Sequence, residues 1–375
     1  MAGDMKSGLE SSPFCNNPAN DLSLYGCVLK KQSVTRVPHC RTIPFMHIQP
    51  FTALTPKAVL DALDSIGLRG DGRLLALNSY ENRVYQAGME DGPPLIAKFY
   101  RPARWSDAAI LEEHAFVATL AEREIPVVPA LEISGRTLHM SNGFRFAVFT
   151  RHGGRAPELD NRDTLEWMGR FIGRIHAVGA LESYSERPTL DIQSFGVEPS
   201  AYLLANDFIP ADLVEVYRGV IAQALRGVRL CFNRAGYDHA GAVKKLRLHG
   251  DCHVGNVLWT NAGPHFVDFD DSRMGPAIQD LWMLLSGERA EMTRQLSDLL
   301  AGYEDFCDFD PRELHLIEAL RTLRLIHYAA WIARRWDDPA FAVAFPWFNT
   351  QRYWQDRILE LREQIALMDE PPLSG

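Results

Sequence analysis

His249-Gly250-Asp251-Cys252-His253-Val254-Gly255-Asn256, with Phe266-Val267-Asp268-Phe269-Asp270 following so that Asp268 lies twelve residues beyond Asn256, is the stretch that decides how this chain folds. Short strand-like segments surround these polar runs (LRL before them, NVLWT between them, HFV leading into Asp268), so a strand–loop–strand arrangement is expected. Protein kinases place a catalytic-loop aspartate, an asparagine five positions later and a metal-binding aspartate on the next hairpin. The spacing has a physical reason. Asp251 must reach an acceptor hydroxyl, while Asn256 and Asp268 point side-chain oxygens from neighbouring strands at one cation. Mg²⁺ takes oxygen ligands in octahedral geometry and usually shares them with phosphate. Two other readings fit the same residues. His249, Asp251 and His253 form an alternating HxDxH that can ligate a transition metal, as in a metallohydrolase, although the other histidines form no second cluster. A solvated polar loop is the third.

Upstream, Lys98 stands in Ile96-Ala97-Lys98-Phe99, the middle of an apolar strand, where an unpaired ammonium is costly. Kinases use such a lysine on the nucleotide phosphates and hold it with a glutamate of the next helix. Ser106 is a good N-cap for that helix, with Ile110, Leu111, Phe116, Val117 and Leu120 as its apolar positions. Glu113 is the preferred partner of Lys98 and Glu112 the alternative; a lysine on an edge strand reaching to water is the plain reading. Asn78-Ser79-Tyr80-Glu81-Asn82-Arg83 occupies the place of a phosphate-covering loop but lacks its glycines. Ser79 and backbone N–H groups can contact phosphate there; an ordinary hairpin turn fits equally well.

The strand-like segments LLALNS, NRVYQAGM and PLIAKFYR, the helix from Ser106, and a hairpin of TLHMSN and FRFAVFTR make a β-rich first part. Beyond Gly153-Gly154 the pattern turns helical: Leu165, Met168, Ile172 and Ile175 mark one helix ending near Gly179, and others are expected over 211–231, 311–336 and 348–368. The fold class is therefore α+β, a bilobal, protein-kinase-like architecture. Its expected parts are a nucleotide-binding lobe over 46–150 and a mainly α catalytic lobe over 151–375. Residues 1–45 carry a net +2 and no apolar periodicity, so they read as a disordered leader with Met46 as a candidate start.

The formal charge of −9 over 375 residues argues against nucleic acid as the main partner. No apolar run reaches the roughly 18–20 residues that cross a bilayer, and no secretory signal is visible. A cytoplasmic, monomeric protein is expected. Six cysteines without a CxxC speak against a disulfide framework or a zinc site.

With Lys98, Glu113, His249–Asn256 and Asp268 in order, the chain resembles the aminoglycoside phosphotransferase and choline kinase superfamily. HGDCHVGNVL and VDFDD match its signature, Gly173-Arg174-Ile175-His176-Ala177 its LGRLHA-like helix, and Gly275-Pro276 with Asp280-Leu281 its later elements. LNSYENRVYQ, KFYRP, ILEEH and QDLWMLL are more closely similar to its bacterial stress response kinases, over roughly residues 48–373. The resemblance implies ATP as co-substrate and Asp251 as proton acceptor. It also implies Asn256 and Asp268 as Mg²⁺ ligands, Ser79 at the ATP site, and protein serine and threonine as acceptors. Two residue-level features point elsewhere. Gly250 replaces the arginine of a typical HRD loop, and only about a dozen residues separate Asp268 from Asp280, which suits a small-molecule hydroxyl better. A binding protein on a kinase scaffold is the remaining alternative. Asp280 reads either as a brace for the catalytic loop or as a simple helix-terminal acid.

Overall fold

Residues with strong strand propensity from Gly70 onward build a five-stranded antiparallel sheet. The computed structural model describes residues 50–237 and 243–374; the expected leader over 1–45 and the candidate start at Met46 lie outside the described residues. Helix α1 (Pro56–Asp64) precedes strands β1 (Gly70–Leu77), β2 (Arg83–Met89) and β3 (Leu95–Phe99). After helix α2 (Asp107–Glu122) come β4 (His139–Ser141) and β5 (Phe144–Thr150), and the sheet order is β1-β2-β3-β5-β4. Strand β3 is thus interior: Lys98 pairs with Val84 on one side and Ala147 on the other. The edge-strand reading of Lys98 is corrected by this topology.

Helix α2 begins where expected, because the Ser106 hydroxyl accepts from Ala109 N at 3.0 Å. It buries Ile110, Phe116, Val117 and Leu120 together with Glu113 and His114. Leu111, expected among the apolar positions, is instead 45% exposed.

The second lobe is mainly helical: α3 (Arg162–Gly179), α4 (Glu198–Ala205), α5 (Val214–Ala235), α6 (Ile278–Trp282), α7 (Arg289–Tyr303), α8 (Ile317–Ala333), α9 (Pro339–Ala344) and α10 (Gln351–Asp369). Two short antiparallel pairs, β6 (Leu246–Arg247) with β9 (Met274–Gly275) and β7 (Val257–Thr260) with β8 (Gly263–Phe266), carry the polar loops. The single helix expected over 311–336 is a 3₁₀ turn, Pro311–Leu316, continued by α8. Pro311 and the Asp310 cap favour the tighter start.

Helices α3 and α7 cross unusually closely. A Cβ on Gly169 would lie 2.0 Å from Leu299 O, and one on Gly302 would lie 2.0 Å from Glu166 O. Only glycine permits this approach. The crossing fixes α3, and with it His176, behind the loop that carries Asp251.

Candidate active site

The loop between β6 and β7 is held from beneath by one buried carboxylate. Asp280 accepts His249 N at 2.7 Å, Gly250 N at 2.9 Å and His176 Nε2 at 3.0 Å. Gly250 has φ +89°, and a Cβ there would lie 2.1 Å from Asp271 O. That explains why no arginine stands at this position: the backbone of the next loop occupies the space. His249 donates from Nε2 to Val267 O at 2.9 Å, accepts at Nδ1 from Asp251 N at 3.4 Å, and lays its ring on Phe269. Both nitrogens of His249 are therefore committed to backbone, which removes the HxDxH metal reading. His253 Nδ1 accepts from Gly255 N at 2.9 Å, leaving Nε2 3.4 Å from Asp251 Oδ2.

Backbone bonds bring the remaining polar residues alongside. Asn256 donates from Nδ2 to Asp251 O at 3.0 Å, so its amide oxygen is turned the other way. Val267 N donates to Asn256 O at 3.0 Å, which sets Asp268 next to it. Asp268 has φ +62°, a left-handed conformation that aspartate tolerates better than most residues, and its side chain is about half exposed.

From the sheet, Lys98 Nζ reaches Asp268 Oδ1 at 2.7 Å and Asp270 Oδ1 at 3.4 Å. Burial opposes the ammonium, but these two carboxylates outweigh it and hold its pKa well above the ordinary value. The expected glutamate partner needs correcting. Glu112 caps a backbone turn, accepting from Ser185, Glu186 and Arg187 N. Glu113 is buried beside Arg187, 3.9 Å from Nη2, and among the described residues makes no ion pair with Lys98. Burial pushes the Glu113 carboxyl up to about 7, against the pull of Arg187 and then Lys98. A raised acid contributes stability that is complete below its unfolded pKa near 4.5 and lost as pH rises through about 7. Glu113→Gln is therefore expected to remove on the order of 3 kcal/mol of stability loss between pH 4.5 and 8. Denaturant titrations of both proteins at the two pH values check it; parallel pH dependence would refute it.

The roles of several site residues could not be read from the sequence pattern. Asp270 is buried among Arg104, Lys98 and Asn82; Arg104 first, then Lys98, hold its carboxyl well below the usual range in spite of burial. Arg104 also reaches Asp271 at 2.8 Å. Glu81, in the turn after Ser79, gathers Arg101 Nε at 2.9 Å, Arg335 Nη2 at 2.7 Å and Trp331 Nε1 at 2.6 Å. Tyr80 packs on Phe345, with ring centroids 4.9 Å apart. The glycine-free turn is thus pinned to the helical lobe by charge and aromatic contact, where a glycine-rich loop would move freely. Ser79 lies half-buried in this turn and makes no side-chain hydrogen bond among the described residues. Asp251 itself is paired with Arg324 Nη1 at 2.7 Å, from helix α8. Burial would raise its pKa, but Arg324 and then His253 hold it well below the usual carboxylate range.

The donor set suits a hard cation bound with phosphate. The amide oxygen of Asn256 and the second oxygen of Asp268 have no protein donor among the described residues, and both are oxygen ligands. No cluster of three His, Cys, Asp or Glu arranged around a metal occurs among the described residues. A site completed by nucleotide phosphates does not require one.

Residues 73–317 match the model of a phosphotransferase enzyme family, and the chain belongs to that family. Within it the chain is 44% identical over 323 residues to stress response kinase A of Escherichia coli (strain K12), covering 86% of this chain and 96% of that protein. It is 43% identical over the same length and shares to a Salmonella typhimurium (strain LT2) protein described as serine/threonine protein kinase RdoA. Two solved structures share the fold. Amicoumacin kinase hAmiN, in complex with AMP-PNP, Ca²⁺ and Ami, has a TM-score of 0.64 at 20% identity, covering 85% of this chain and 95% of that one. A microcompartment-associated aminopropanol kinase has 0.61 at 16% identity, covering 84% and 96%.

Proposed function

We propose that this protein is an ATP- and Mg²⁺-dependent kinase that phosphorylates serine and threonine hydroxyls of proteins in a bacterial stress response. The observation that carries the phosphotransfer reading is the contact of Lys98 with Asp268 at 2.7 Å, across 170 residues of chain, beside the Asp251–Asn256 loop. The protein acceptor rests on the 44% identity to a stress response kinase. ATP lies between a nucleotide-binding lobe over 46–150 and a catalytic lobe over 151–375. Its adenine is near Ala147–Thr150, and its phosphates are near Lys98 and the Ser79 turn. Asn256 and Asp268 hold Mg²⁺, which supplies charge neutralisation on the transferring phosphoryl group. Asp251 accepts the hydrogen bond of the acceptor hydroxyl. As the acceptor oxygen bonds to the γ-phosphorus, the bond to the β-bridging oxygen breaks and ADP leaves with its electron pair. Asp251 takes the proton. Because Arg324 keeps this carboxylate a weak base, orienting the hydroxyl is its larger contribution and the proton moves late.

One observation favours a small-molecule acceptor instead. The short chain between Asp268 and Asp280 is mostly taken up by a 3₁₀ turn, β9 and the start of α6, which leaves no long free segment to dock an extended peptide. The two readings part in one assay: purified protein with γ-labelled ATP, Mg²⁺, dephosphorylated casein and a panel of small alcohols including aminopropanol. The expected result is label on serine or threonine of casein or of the enzyme itself, abolished by EDTA. Label on a small alcohol alone overturns the protein-kinase reading, and no label on anything overturns phosphotransfer. Among the described residues no helix is long and apolar enough to cross a membrane, and the protein is proposed to act as a monomer in the cytoplasm.

A further inference from the structure

Helix α8 presents Arg324, Tyr328 and Trp331 on one face at helical spacing, and this face turns toward the β6–β7 loop and the Ser79 turn. Arg324 stands out among them. Its Nη1 donates to Asp251 Oδ1 at 2.7 Å, bridging 73 residues, while Nε and Nη2 have no acceptor among the described residues. The side chain is 40% exposed, so it is no buried structural arginine of the kind represented by Arg187, whose Nε and Nη1 donate to backbone carbonyls. The pair is only partly buried, Arg324 at 40% and Asp251 at 25% exposure, so solvent screens part of its contribution to folding.

Its chemical effect on Asp251 is specific. Oδ1 is occupied by a charge-assisted bond, whereas Oδ2, among the described residues, has only His253 Nε2 at 3.4 Å. The backbone side of Asp251 is fixed separately, by Asn256 Nδ2 on its carbonyl and by Asp280 beneath the two preceding residues. These contacts set where the residue sits, but none sets the rotation of its carboxylate. Arg324, at 2.7 Å from Oδ1, supplies the shorter of the two contacts that do, the other being His253 at 3.4 Å from Oδ2. We infer that Arg324 is a positioning residue for phosphoryl transfer, whose guanidinium locks Asp251 Oδ1 so that Oδ2 is presented to the acceptor hydroxyl. The inference rests on the kinase reading above and deepens it. Nothing in the HGDxHxGN pattern predicts it, because the arginine comes from a distant helix.

The test uses the full-length protein with Arg324→Gln, Arg324→Lys, Asp251→Asn and the Arg324→Gln/Asp251→Asn pair. Steady-state transfer from MgATP to dephosphorylated casein, autophosphorylation, and the affinity for a fluorescent ATP analogue are measured for each. Arg324→Gln is expected to lower kcat about 10–100-fold, the scale of a misplaced catalytic group, with KM for ATP and analogue affinity changed less than about twofold. Arg324→Lys, which keeps the charge and one donor, recovers part of the loss and guards against misfolding as the explanation. The double variant is as slow as Asp251→Asn alone, because the arginine acts only through that carboxylate. A full multiplicative loss in the double variant, an unchanged kcat in Arg324→Gln, or a loss confined to KM for ATP each overturns the inference while leaving the kinase reading intact. A wild-type protein that transfers no phosphate overturns both.

Discussion

Asp268→Asn is expected to lower phosphoryl transfer by at least about 10³-fold while leaving the protein folded. The side chain is half exposed and its φ of +62° is one that asparagine adopts readily, so neither packing nor backbone strain changes much. The electrostatics change greatly. On the proposed reading, a carboxylate that pairs with Lys98 and would also bind Mg²⁺ becomes a neutral amide with a single acceptor, and among the described residues Lys98 keeps an ion pair with Asp270 alone. Loss of metal-centred charge stabilisation on the transferring group amounts to several kcal/mol of barrier, and about 4 kcal/mol corresponds to 10³ in rate. Single-turnover transfer from labelled ATP at increasing Mg²⁺ measures it. The half-saturating Mg²⁺ concentration should rise, and a wild-type rate at ordinary Mg²⁺ would remove Asp268 from the site.

The sequence made some of this legible for identifiable reasons. The strand positions around Lys98, the Ser106 cap and the Asp251–Asn256–Asp268 spacing are local patterns, and each records a local constraint. The family resemblance was carried by the same residues. What stayed hidden depends on contacts between distant segments. Lys98 met Asp270 and Asp268 rather than a helix glutamate, because Arg187 lies beside Glu113 and backbone N–H groups claim Glu112. Nothing near residue 113 in the chain announces Arg187. The missing glycines after β1 were visible as a departure, but their counterpart lay some 250 residues away in Trp331, Arg335 and Phe345. Helix α7 could have been read, since Leu296, Leu299, Leu300 and Tyr303 are buried at i, i+3, i+4 and i+7 spacing. The close approach of Gly302 to α3 could not, because a glycine at a crossing looks like any other until both helices are placed.

Asp280→Ala is expected to have the largest effect on stability, with a loss of activity following from it. A helix-terminal acid is worth about 0.3–1 kcal/mol through the dipole, and on that reading the variant would be nearly neutral. The observed carboxylate instead accepts two backbone N–H groups of the catalytic loop and the His176 imidazole; His249 and His176 are buried and Gly250 is partly so. Removing it strands two buried donors and one partly buried one, at about 1–3 kcal/mol for each buried donor before relaxation. A total of about 3–5 kcal/mol matches what breaking one side of a buried polar pair costs. The melting temperature should fall by roughly 4–7 °C. Asp280→Asn is not a mild substitute, since every partner is a donor and the amide would turn its own NH₂ toward one of them. Both variants also free His249 and Gly250, so Asp251 loses its anchor, and kcat is expected to drop about 10²-fold even well below the melting transition. Thermal denaturation and transfer rates on the two variants separate the alternatives. A wild-type melting temperature for Asp280→Ala would reduce this residue to a helix-end charge. A lowered one with full activity would show that the loop holds Asp251 in place without support from below.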